Sequence, residues 1–106
     1  MDTTTKEIQK VLAIFTFTEG KLSTFTKLLD DPVNGLNYTK QCDGFIDIEC
    51  LIDQDSPNTL VLLQKWKTKQ NHLDYLQLRT EQGLFTQLEK LLDKPPEIRY
   101  IKNMTN

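Results

Sequence analysis

The sequence predicts an α+β domain with the element order βαββαβ, and three observations carry that reading. Segments rich in β-branched and aromatic residues alternate with segments of helical apolar spacing. Two of the strand-like segments are joined by a turn cluster and read as a hairpin. Pro32 with Gly35, then Gly83, then Pro95 with Pro96, fall where elements end.

Taken in order, KVLAIFTFT (Lys10 to Thr18) reads as the first strand. In EGKLSTFTKLLDD, Leu22, Phe25, Leu28 and Leu29 recur at helical spacing, so one face of a helix is apolar. Pro32 and Gly35 close it and open a connection through Asn37. GFIDIECLID (Gly44 to Asp53) alternates, with Ile46, Ile48, Cys50 and Ile52 on one face and Asp47, Glu49 and Asp53 on the other. DSPNT is a turn and LVLLQKW (Leu60 to Trp66) the return strand. Pairing Gln54 with Leu60 sets Ile52 against Leu62, Cys50 against Gln64 and Ile48 against Trp66. The reverse face then has Glu49 against Lys65 and Leu51 against Leu63. Phe45, Leu51, Val61 and Leu63 among charges make that reverse face mixed, which suits a subunit interface or a loosely covered sheet.

Thr68 is an expected N-cap for a helix from about Lys69. His72, Leu73, Leu76 and Thr80 fall on one side of it, flanked by Tyr75 and Arg79. Gly83 breaks the run, and LFTQLEKLL (Leu84 to Leu92) resumes with an apolar stripe that includes Phe85. EIRYIK (Glu97 to Lys102) is a final short strand. This order is that of the ferredoxin-like split βαβ plan: a four-stranded antiparallel sheet with its helices on one face.

A chain of 106 residues is one domain by length, spanning residues 1–106 with its core at about 10–102. A net charge of −2 and scattered basic residues argue against a nucleic-acid partner. Lys65, Lys67 and Lys69 read as a solvated face, with an anion site as the alternative. No apolar run reaches about 18 residues, so no membrane partner is expected, and MDTTTKEIQK lacks a signal pattern. Cys42 and Cys50 are expected as free thiols in a reducing cytoplasm.

One His and two Cys without paired spacing make no metal site, and four isolated glycines make no nucleotide or flavin loop. What remains is the convergence of Gln64, Trp66, His72, Tyr75 and Arg79, from a strand end and the helix that packs there. An apolar cleft with a few polar groups is the usual form of a small-molecule site. The plainer alternatives are a core Trp66, a solvated His72 and a surface Tyr75–Arg79 pair one helical turn apart.

At GKLSTF, DGFIDIECLIDQDSPNTLVLLQKWKTKQNHLDYL and GLFTQLEKLL, over roughly Val11 to Ile101, the chain resembles the antibiotic biosynthesis monooxygenase family. Gly20 opens the first helix, Asp43, Gly44 and Phe45 open the second strand, and Trp66, Lys67, Thr68 and Lys69 lead from the hairpin into a helix. The resemblance implies a dimeric α+β barrel, a homodimer packed sheet to sheet. It implies a monooxygenase that works without metal, flavin or other cofactor on a small aromatic or quinol, or a non-oxygenase binding or isomerising protein on the same fold. In those roles His72 is the proton acceptor, Tyr75 a hydrogen-bond partner and Arg79 an anion stabiliser, while Gln64, Trp66 and Phe85 contact the substrate. The chain departs from the family pattern at Gln64, where many members carry Glu, and at Tyr75, where many carry His. The haem-degrading branch uses Asn, Trp and His where this chain has Ala13 or Ile14, Tyr75 and about Phe85, so haem degradation is not expected.

Overall fold

The structure, a computed structural model, describes residues 7–105; the signal-pattern reading of the first ten residues falls largely on 1–6, outside the described residues. Eight elements follow one another: β1 (Gln9–Thr16), α1 (Leu22–Leu29), α2 (Leu36–Lys40), β2 (Phe45–Ile52), β3 (Thr59–Trp66), α3 (Lys69–Glu81), α4 (Leu84–Glu89) and β4 (Glu97–Ile101). The strands form one antiparallel sheet in the order β2-β3-β1-β4. This is the predicted α+β, ferredoxin-like arrangement.

The two central strands alternate as the pleat requires. Val11, Ala13 and Phe15 of β1 and Leu60, Leu62, Gln64 and Trp66 of β3 are buried. Phe25 of α1 and Leu88 of α4 close the core over Phe15, Phe17 and Leu62. On the opposite face Leu12, Ile14, Val61 and Leu63 remain only half-buried, and Leu51 is exposed. No described residue covers the mixed reverse face.

The β2–β3 register differs from the expected one by two residues: Ile52 faces Leu60, Cys50 faces Leu62, Ile48 faces Gln64 and Asp47 faces Lys65. The turn explains this. Asp53 N donates to Thr59 O (3.1 Å), and the Asp53 carboxylate caps Asp55 N (2.9 Å), so Gln54 belongs to the turn and pairs with nothing. An even slip preserves the faces, which is why the alternation of β2 still holds. A bulge between Phe45 and Asp47 then reverses parity at the strand's start. Phe45 lies opposite Trp66 and meets its ring edge-on at 5.5 Å, on the helix-facing side and not the reverse face, while Ile46 is exposed.

Three helical expectations also need correction. α2 stands where a connection through Asn37 is expected. The last helix stops at Glu89, and Leu92 instead bridges to Phe17. In α3 the exposed residues include Leu73 and Thr80, while His72 and Arg79 are buried. Its N-cap is as expected: Thr68 Oγ1 accepts from Asn71 N at 3.0 Å. Removing that cap with Thr68→Ala should cost about 1 kcal/mol by urea denaturation.

Gly44 sits at φ +82, and a Cβ there would lie 2.2 Å from the Asn71 side chain. The chain enters β2 pressed against the first turn of α3, and only glycine fits. Gly44→Ala should therefore lower the melting temperature by about 5 °C or more; an unchanged value would show that Asn71 yields freely.

Candidate functional site

The sheet register places the site's floor. Gln64, Val11 and Tyr100 lie directly opposite one another across β3, β1 and β4, as do Leu62, Ala13 and Ile98. Ala13 is the smallest side chain in that row, and the space above it becomes a cavity of about 60 Å³. Gln64, His72, Tyr75, Arg79, Thr39 and Phe85 line it, together with aliphatic and aromatic side chains from the sheet, α1 and α4. No carboxylate is among the described lining residues.

Trp66 is fully buried and does not line this cavity, contrary to the expectation that it walls the pocket. It stands behind the wall. Its ring packs 5.0 Å from Tyr75 and 5.5 Å from His72, and its Nε1–H donates to Gln64 Oε1 at 2.9 Å. The other five predicted site residues line the cavity.

Arg79 is 4 % exposed and projects all of its N–H groups into protein acceptors. Nε donates to the Tyr75 hydroxyl (3.0 Å). One terminal nitrogen donates to Asn34 O (2.8 Å) and Gln82 Oε1 (3.2 Å), the other to Gly35 O (2.9 Å) and Thr39 Oγ1 (2.9 Å). The guanidinium also lies 4.5 Å from the Tyr38 ring. No Asp or Glu pairs with it among the described residues. Its charge is dispersed over neutral dipoles beside an apolar cavity, where it weighs more than in water.

Gly35 supplies one of those carbonyls and is itself buried. A Cβ at Gly35 would lie 2.2 Å from Leu29 O and 2.7 Å from Asp31 O, so the α1–α2 turn can fold back only around glycine. Asp31 holds the same turn by accepting from Val33 N and Asn34 N, each at 2.9 Å, and those bonds lower its pKa.

His72 is 1 % exposed, and its Nδ1 is 2.8 Å from the Tyr100 hydroxyl. Burial pulls its pKa down from 6.5 to about 4, so the ring is neutral at physiological pH. As pH falls, the unfolded chain is protonated first, near 6.5. Stability from the neutral imidazole is therefore complete above that pH and is lost on acidification towards pH 4, by about 3 kcal/mol. In urea titrations across this window a His72→Gln variant should lose correspondingly less than the parent, the carboxylates being common to both. Parallel losses would contradict the buried neutral ring.

Thr39, Tyr38, Tyr100 and the carbonyls of Asn34 and Gly35 were not among the expected site residues. Thr39 and Tyr38 lie on the unforeseen α2. Tyr100 had a signal, since it alternates with Glu97, Arg99 and Ile101 in the last strand. The Cys42 and Cys50 thiols are free, no group of three metal-ligating side chains occurs among the described residues, and no described helix is long and apolar enough to cross a membrane.

Comparison with solved structures gives the fold its relatives. A conserved protein from Methanosarcina mazei Go1 superposes with a TM-score of 0.79 at 22 % identity, over 92 % of this chain and 93 % of its own. A protein named antibiotic biosynthesis monooxygenase gives 0.76 at 14 % identity, over 91 % and 98 %. This chain has the antibiotic biosynthesis monooxygenase fold. A third structure with this fold, from Mycobacterium tuberculosis, gives 0.68 at 22 % identity, over 93 % and 97 %. No family model and no curated protein matches the sequence.

Proposed function

We propose that this chain is a member of the antibiotic biosynthesis monooxygenase family that oxygenates a small electron-rich aromatic without metal or flavin. The observation that carries the reading is the buried Arg79, with no carboxylate partner among the described residues, beside a largely apolar cavity. Such a site favours an aromatic that becomes an anion as it reacts. A phenolate is electron-rich enough to reduce O₂ itself. A ring C–H becomes a second C=O, the hydroxyl is oxidised to the first, one oxygen atom enters the product and the other leaves as water. The substrate supplies all four electrons.

In this mechanism Arg79 stabilises the anion through the Tyr75 and Thr39 hydroxyls it holds, Gln64 and Tyr75 bind oxygen, and Phe85 packs on the ring. His72 takes the proton. At a pKa of about 4 it is a weak base in the empty site, but an anionic oxygen beside the imidazole raises its proton affinity, so substrate itself strengthens the base.

The cavity of about 60 Å³ is smaller than the roughly 150 Å³ that accommodates benzene in an apolar core. A groove of about 310 Å³ lies outside it and shares Leu28, Asn34, Arg79 and Leu84 with its wall. An aromatic substrate enters as that wall parts.

Oxygen uptake by the metal-free protein with a panel of quinols tests the proposal. Uptake above the protein-free rate is expected, falling about 100-fold in His72→Ala. A rate equal to buffer overturns the reading, and an unaffected His72→Ala overturns the role of His72. The small cavity and the weak base favour one second reading, a binding or isomerising protein; a ligand recovered from the cavity unchanged after incubation in air would support it.

The face bearing Leu12, Ile14, Val61 and Leu63, which no described residue covers, supports a homodimer packed sheet to sheet. The wild type should sediment as a dimer and Leu63→Glu as a monomer.

A further inference from the structure

The polar groups of the cavity have a sense as well as a position, and counting protons gives it. Trp66 Nε1 can only donate, so the Gln64 carboxamide must turn its oxygen to the indole, and the two bond at 2.9 Å. This fixes the Gln64 NH₂ as the free end: it donates to no described residue, and since no described side-chain nitrogen or oxygen is both fully buried and unpartnered, it opens to the cavity. The hydroxyls of Thr39 and Tyr75 are 2.7 Å apart, and each oxygen also accepts from Arg79. The bond between them uses one of their two protons. The other has no acceptor among the described residues. Gln64 and Tyr75 pack on the same Trp66 ring or its N–H, and both line the cavity with Thr39. His72 adds a donor or an acceptor according to its tautomer. Among the described lining residues there is no carboxylate, so no anionic acceptor competes for these protons.

We propose that the cavity selects its ligand by a single acceptor oxygen. It takes a small, otherwise apolar molecule carrying a carbonyl or oxyanion, held by the Gln64 carboxamide and the Thr39–Tyr75 hydroxyl pair, and it disfavours a ligand bringing a cation. Trp66 is the positioning residue, because its N–H decides which end of Gln64 is presented. The inference builds on the small-molecule reading of the site but not on oxygenation.

The test is binding of three similarly shaped five-membered rings to ¹⁵N-labelled protein, followed at the Gln64 side-chain amide and Trp66 indole resonances. The rings are cyclopentanone, methylenecyclopentane and cyclopentylamine, each with as many heavy atoms as benzene, so each enters as the wall shared with the outer groove parts. Cyclopentanone should bind about tenfold more tightly than methylenecyclopentane, the value of one hydrogen bond, and cyclopentylamine most weakly. Gln64→Met, which keeps the side-chain length and removes the donors, should abolish most of that preference while methylenecyclopentane binds as before. Thr39→Val and Tyr75→Phe should each retain a preference, since either hydroxyl left alone keeps its proton. The double variant should lose that share. Equal affinities, tightest binding of the amine, or no cyclopentanone binding up to its solubility overturns the proposal. Oxygen uptake fails or succeeds separately, because none of the three probes is an oxygenase substrate.

Discussion

Arg79→Met is expected to cost about 4 kcal/mol of stability, because hydrogen bonds to a charged donor are worth about 1.5–3 kcal/mol each and the variant removes several. Met fills much of the same volume, so the loss measures polar groups and not a void. It removes the guanidinium from the Asn34 and Gly35 carbonyls and from the Thr39 and Tyr75 hydroxyls, leaving Gly35 O with Tyr38 N (3.1 Å) and the two hydroxyls with each other. These groups come from α3, α2 and the α1–α2 turn, so Arg79 ties three segments over the cavity. Arg79→Lys should recover less than half of the loss. An ammonium on a flexible stem lacks the planar fork that reaches acceptors on several sides at once. Urea denaturation of the three proteins decides this; a loss under about 1 kcal/mol in Arg79→Met would mean that water replaces the guanidinium readily.

Trp66→Ala is expected to cost ~4 kcal/mol, in the range for deleting a large buried aromatic. Trp66 is the point where β3 ends and α3 begins to pack. It meets Phe45 edge-on at 5.5 Å, Tyr75 at 5.0 Å and His72 at 5.5 Å. Trp66→Phe keeps most of the packing and deletes the N–H, so it should cost about 1–2 kcal/mol. The informative contrast is that Trp66→Phe should also release the Gln64 amide to flip, weakening ligand preference in a protein that still folds. Equal losses in the two variants would show that the N–H alone explains Trp66, and no loss in Trp66→Phe would show that packing alone does.

How much of this was legible in the sequence varies by element. β1 and β3 were legible because each buries one face, so side-chain alternation records it. The Thr68 cap was legible because it is local chemistry. α2 was not, since LNYTK is a single turn and a half with no periodicity to detect. The stripe of α3 was misread for a different reason: its buried positions, His72 and Arg79, are polar, and apolar spacing cannot find a face that is satisfied by hydrogen bonds. The hairpin register depended on whether Asp53 or Gln54 closes the turn, and the capping of Asp55 N by Asp53 decided it. Phe45 changed faces through a one-residue bulge that composition does not announce. The convergence of Gln64, His72, Tyr75 and Arg79 was legible. The part that α2 plays in it, through Thr39, required the folded chain.

The most direct measurement of the central claim is incorporation of ¹⁸O from ¹⁸O₂ into product, by mass spectrometry, with metal-free protein and the quinol or phenol giving most oxygen uptake. The account predicts one ¹⁸O atom per product molecule, the second oxygen appearing in water, and a yield that falls with Arg79→Lys. A product free of ¹⁸O, or incorporation no greater than in the protein-free control, would contradict it.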